Sequence, residues 1–90
     1  MSQTEVARAM RPFRDREAIE LGELVGPLGI DRATRHTLIR AGLISPLPDR
    51  GSRGAYMVDQ AEARRVMRAA LVAAAAGVAV AIVLRVLDAA

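Results

Sequence analysis

Residues 21–46 read LGELVGPLGIDRATRHTLIRAGLISP, and the punctuation within this stretch decides the fold. Gly26-Pro27 stops a first helix expected over 19–25, in which Ile19, Leu21, Leu24 and Val25 supply apolar contacts while Glu20 and Glu23 face water. Gly29 offers the positive φ that a tight bend requires. Asp31 is a suitable N-cap for a second helix over 31–41, Gly42 sits where a C-terminal glycine belongs, and Pro46 prevents continuation. Helical spacing puts Ile30, Thr34, Thr37, Leu38 and Ala41 on one side of that helix, with Ala33 at the margin. Arg32, Arg35, His36, Ile39 and Arg40 lie around the other side. Two short helices, a tight turn and one arginine-rich side form the layout of a helix-turn-helix, which lays its second helix along DNA.

The chain after Gly42 extends the pattern. Two apolar patches, 43–47 and 55–58, flank the turn-rich run Asp49-Arg-Gly-Ser-Arg-Gly54. This spacing predicts a β-hairpin whose tip carries Arg50 and Arg53, placed as a wing whose arginines reach phosphates or the minor groove. Tyr56 is expected to pack in the wing with its hydroxyl at the rim. Asp59-Gln-Ala-Glu62 resembles a capping box and opens a third helix, with Ala63, Val66, Met67 and Ala70 on one side and Arg64, Arg65 and Arg68 displayed elsewhere. The expected class is mainly α: a winged helix-turn-helix with a small hairpin wing and a long apolar C-terminal helix.

Charge is concentrated on the same segment. Residues 32–68 carry eight arginines against Asp49, Asp59 and Glu62, whereas residues 1–31 carry four against six acids. A local excess of positive charge beside such a motif matches a phosphate backbone. No cysteine is present, and His36 is the only histidine, so disulfides, thiolate metal sites and a histidine metal cluster are excluded. No histidine–carboxylate–nucleophile set and no phosphate-cradling glycine loop occurs, so neither catalysis nor a cofactor is expected.

The two ends read differently. Residues 1–18 suggest a loosely attached arm: Thr4 could cap a short helix limited by Pro12, with Val6, Met10 and Phe13 near one face. The opening residues lack the apolar core of a secretory signal, which points to the cytoplasm. Residues 69–90 open with sixteen consecutive uncharged residues, AALVAAAAGVAVAIVL. A helix apolar all round must be buried, and two occupants are open: a second copy of the chain, or a bilayer with the N-terminal domain held in the cytoplasm at the inner membrane. Leu71, Ala73, Gly77, Val78, Ala81 and Ile82 are the candidate contacts of either arrangement, with Ala73, Gly77 and Ala81 forming a row that permits close helix approach.

The run Leu21-Gly-Glu-Leu, then Gly29-Ile-Asp-Arg-Ala-Thr-Arg, then Arg40-Ala-Gly-Leu-Ile-Ser-Pro46, resembles the DNA-binding domain of the MerR family over residues 19–68. The spacing from Gly29 through Gly42 to Pro46 fits without a gap. Arg35, Thr37 and Leu38 stand where that family has a leucine and paired tyrosines, and Gly54-Ala55-Tyr56 stands where glycine-tyrosine-arginine is usual. In size the chain is more similar to the short relatives, which include phage and plasmid excisionases and small developmental regulators. The resemblance implies a dimeric transcriptional regulator binding double-stranded DNA. Arg32, Arg35 and His36 would face the major groove, and Arg40, Arg50, Arg53 and Arg64 would hold phosphates. An excisionase-type factor that bends DNA and a membrane-anchored adaptor are the alternatives.

Overall fold

Ile19 and Val58, both fully buried, face each other in a three-residue antiparallel ladder that ties distant parts of the chain together. In the computed structural model, which describes residues 3–89, the protein is mainly helical with this one small sheet. Its elements are α1 (Gln3–Met10), β1 (Ala18–Glu20), α2 (Leu21–Val25), α3 (Arg32–Arg40), β2 (Met57–Asp59), α4 (Gln60–Ala76) and α5 (Val80–Ala89). Short 3-10 turns occupy Arg11–Phe13, Gly26–Leu28 and Ser52–Gly54.

The two short helices on either side of Gly29 form, and the second takes its expected cap. Gly29 takes the left-handed conformation (φ 84°) at the end of the Gly26–Leu28 turn, and its N–H bonds Gly26. Asp31 then caps α3 by accepting from the Thr34 N–H at 2.8 Å. That backbone hydrogen bond, aided by the Thr34 hydroxyl and by Arg35, holds the Asp31 carboxyl below its ordinary range. Leu38 is buried, whereas Thr34, Thr37 and Ala41 of the expected inner side stay exposed. The chain leaves α3 through Gly42 and Leu43, whose N–H bonds back to Leu38 at 2.9 Å.

The strand partners differ from the expected hairpin. β2 pairs with β1 in the register Ala18↔Asp59, Ile19↔Val58 and Glu20↔Met57, so residues 19 and 20 are extended and the first helix begins at Leu21. Residues 43–47 form no strand; they meet the returning chain through the Leu47 N–H, which bonds the Met57 carbonyl at 2.7 Å. Pro46 and Pro48 explain the difference, because neither has an N–H to give to a ladder. The β-branched Ile19, by contrast, suits a buried strand position. The glycine-rich run is still closed at its base, by the Gly51 N–H bonding the Ala55 carbonyl at 2.8 Å.

The N-terminal segment is docked. Val6 and Met10 of α1 are buried in the common core, Phe13 packs against it, and Gln60 donates to the Arg14 and Arg16 carbonyls at 2.5 and 2.8 Å. Thr4 lies within α1 rather than at its cap. The apolar side of α1 is what fixes it, since Val6 and Met10 are four apart on one helix face.

The long apolar C-terminal helix is broken in two. α4 passes through residues 68 and 69 without interruption and ends where Gly77 adopts φ 71°, its N–H and that of Val78 both bonding the Ala73 carbonyl. Glycine enters this left-handed cap at no steric penalty. The reversal lays α5 back along α4, burying Val80 and Leu84, which a straight helix would have carried into solvent. The proposed row Ala73–Gly77–Ala81 therefore does not exist on one helix: Ala73 is buried in its own core, Gly77 is the cap, and Ala81 and Leu71 are half-buried. Among the described residues no helix is long and apolar enough to cross a membrane.

Candidate functional site

α3 and the loop 50–56 stand as two walls of an open cleft of about 1120 Å³. Arg32, Arg35 and His36 come from α3; Arg50, Arg53 and Tyr56 come from the loop; Glu20 and Gly22 also line it. The caps explain how the walls are held. Asp31 fixes the start of α3 and therefore the rotation that turns Arg32, Arg35 and His36 to this side, while β1–β2 pairing brings the base of the loop beside α2. The Leu21 N–H bonds the Tyr56 carbonyl at 2.9 Å and continues that attachment by one residue.

One bridge joins the walls. The Tyr56 hydroxyl and His36 Nδ1 are 2.8 Å apart, with the ring centroids at 6.2 Å. The Arg50 guanidinium lies over the Tyr56 ring at 3.8 Å, and its Nε donates to the Gly54 carbonyl at 3.0 Å. Such a stack holds the planar guanidinium against the aromatic face while its remaining N–H groups stay available. Arg53 is held at the loop tip with φ 58°, a conformation that side-chain-bearing residues adopt at a cost.

The arginines differ in freedom. Arg32 and Arg53 are exposed and, among the described residues, carry no ion pair. Arg35 is half-buried: its Nη1 donates to the Ile30 carbonyl at 2.7 Å and its Nη2 lies beside Gly22. It braces the turn while still lining the cleft. Arg40 and Arg64 are exposed but lie outside the cleft. Four arginines and one carboxylate, Glu20, line the cleft, so its lining carries net positive charge. Leu71, Ala73, Gly77, Val78, Ala81 and Ile82 do not line it.

A second arginine site has a different construction. Arg65 donates to Glu62 at 2.7 and 3.0 Å, to Asp88 of α5 at 2.9 Å, and to the Leu43 carbonyl. Glu62 also accepts from the Ser45 N–H at 2.6 Å, so it completes this node instead of the far half of the capping box; Asp59 caps α4 alone, accepting from the Glu62 N–H at 2.8 Å. Burial pushes the Glu62 carboxyl up, but Arg65 and the Ser45 N–H outweigh it and leave the group below its ordinary range. The Glu62 hydrogen bonds in turn raise Arg65. The sequence displays Arg65 with Arg64 and Arg68 as surface charge; the signal for its other use was the Glu62–Arg65 spacing, which puts both on one helix face.

Among the described residues no three His, Cys, Asp or Glu side chains gather to hold a metal ion. No family model matches the chain, and neither the curated proteins nor the solved structures contain a match.

Proposed function

We propose that this protein binds double-stranded DNA as a winged helix-turn-helix of the MerR-like short type, with α3 in the major groove and the loop 50–56 against the backbone beside it. The observation that carries this reading is the arginine cleft: exposed Arg32 and Arg53 both line it, and among the described residues neither makes an ion pair. α3 has nine residues, roughly 14 Å of helix, which suits passage along a major groove. Arg32 and His36 read base edges, Arg50 and Arg53 hold phosphates, and Arg35 braces the turn beneath. Arg40 and Arg64 extend the positive surface beyond the cleft.

Selection of bound sequences from a random double-stranded pool tests the reading. Recovery of a defined motif, with binding that weakens steeply as salt rises, is expected. Recovery of no motif, together with affinity indifferent to salt, would overturn it. Loading on several adjacent repeats with DNA bending would instead mark a recombination factor using the same surface.

A further inference from the structure

His36 is the only histidine of the chain, and it lines the cleft among arginines. It is exposed, while Tyr56 across from it is half-buried. His36 Nδ1 lies 2.8 Å from the Tyr56 hydroxyl, and among the described residues the other ring nitrogen, Nε2, has no partner. The Tyr56 hydroxyl bonds nothing else there. A neutral imidazole carries one proton on one of its two nitrogens, and the bond made at one nitrogen decides what the other offers. Two features set the direction of this bond. A bare imidazole nitrogen is a stronger acceptor than a phenol oxygen, and a phenol hydroxyl donates readily. The Arg50 guanidinium, 3.8 Å above the Tyr56 ring, also draws electron density from the oxygen, which strengthens the hydroxyl as a donor and weakens it as an acceptor.

We propose that Tyr56 is a positioning residue: its hydroxyl donates to His36 Nδ1, keeps the neutral ring protonated at Nε2, and leaves His36 as a single uncharged donor on the exposed side of α3. The ligand follows from the DNA-binding reading, on which this inference rests: the Nε2–H meets an acceptor on a base edge in the major groove. Arginines are always charged and are drawn to phosphates wherever these lie, whereas an uncharged donor gains far less from a phosphate and contributes to discrimination instead. Guanine, adenine and thymine each present an acceptor in that groove, but cytosine presents only its amino donor. One N–H therefore excludes cytosine at the base it faces; with the proton moved to Nδ1, the same ring would accept cytosine. Tyr56→Phe separates the hydroxyl from the ring, because it keeps the aromatic face under Arg50 and removes only the bond to His36. Both protonated forms and both orientations of the imidazole then become accessible.

The imidazole nitrogen shifts of the full chain without DNA, measured by NMR at about pH 8 where an ordinary imidazole is neutral, report the form directly, since only one histidine is present. The wild type is expected to show a protonated Nε2 and a bare, hydrogen-bonded Nδ1. In Tyr56→Phe the two signals should move toward each other. Selection from a random double-stranded pool with the same proteins should return, for the wild type, one position depleted of cytosine. For Tyr56→Phe the cytosine frequency there should be about three- to ten-fold higher. His36→Ala should relax that same position, and adding Tyr56→Phe to it should change nothing further. A wild type protonated at Nδ1 would overturn the inference, and this result needs no variant. So would a Tyr56→Phe protein with unmoved shifts and cytosine still excluded. A wild type that selects no motif but shows the Nε2–H pattern would strike the DNA-binding reading and leave the held ring standing. A motif recovered with no cytosine-depleted position would strike the inference and leave that reading intact.

Discussion

Arg65 and Arg32 carry the same group on helices of the same small protein, yet one is tied on every side and the other is left open. Arg65 keeps 29% of its side-chain surface, bonds two carboxylates and a carbonyl, and joins α4, α5 and the segment that leaves α3. Arg32 lines the cleft and, among the described residues, makes no ion pair. The difference lies in what each position finds within reach. Glu62 sits one turn from Arg65 and Asp88 arrives through the reversal at Gly77, whereas the cleft that Arg32 lines has one carboxylate, Glu20, among four arginines and a tyrosine–histidine bridge, and Arg32 pairs with none. Positive charge that is matched contributes to stability; positive charge left unmatched is what the proposed DNA-binding reading draws on.

The comparison can be broken most sharply at Arg65. Arg65→Ala strands the half-buried Glu62 carboxylate and releases the Leu43 carbonyl, so we expect a loss of about 2 kcal/mol, reduced from a fully buried pair by solvent at Asp88. Thermal unfolding should move down by about 10 °C. Arg32→Ala and Arg53→Ala should do the opposite: stability constant within about 0.5 kcal/mol and DNA affinity five- to ten-fold lower as an order-of-magnitude estimate, with relaxed base preference for Arg32→Ala and a salt slope smaller by about 1 for Arg53→Ala. Anisotropy titrations at several salt concentrations measure both quantities. If Arg32→Ala unfolds the protein and Arg65→Ala leaves it intact, the division is wrong.

Arg35 sharpens the comparison because it belongs partly to each class. Arg35→Ala should cost about 1 kcal/mol by removing the donor from the Ile30 carbonyl, and should weaken DNA binding in addition. Chemical denaturation and binding on the same preparation would show both losses. The smallest effect is expected from pH. Glu62 in the folded protein is held below its ordinary value of 4.5, so between that value and the lower folded one the unfolded chain binds the extra proton. Its contribution to stability is present above that window and lost as pH falls through it. Glu62→Gln should flatten the stability–pH curve there, while Arg32→Ala should leave its shape unchanged.

Local punctuation was legible in the sequence because each signal acts within a few residues. Asp31 and Asp59 cap the helices they precede, Gly29 turns left-handed, and Leu38 is buried while Arg32 is not. The two walls of the cleft followed from these signals. What was not legible depends on partners far away. Ile19 reads equally well as helix or strand until Val58 is beside it. The alanine-rich run favours one helix by propensity, and only the need to bury Val80 and Leu84 makes the glycine within it a reversal. Val6 and Met10 form a face whose destination on α4 has no local mark. The tyrosine–histidine bridge was missed for the same reason, since residues 36 and 56 meet only when both walls stand.

The Ala18–Glu20 and Met57–Asp59 pairing has a consequence for how the protein is assembled in time. These strands enclose the whole interval that holds α2, α3 and the arginine loop, and closing a loop of that size costs about 3 kcal/mol in chain entropy. The α4–α5 hairpin, whose contacts are near neighbours along the chain, has no such toll and can form early. On refolding of the full chain the helical hairpin is therefore expected to form before the two sides of the cleft are brought together.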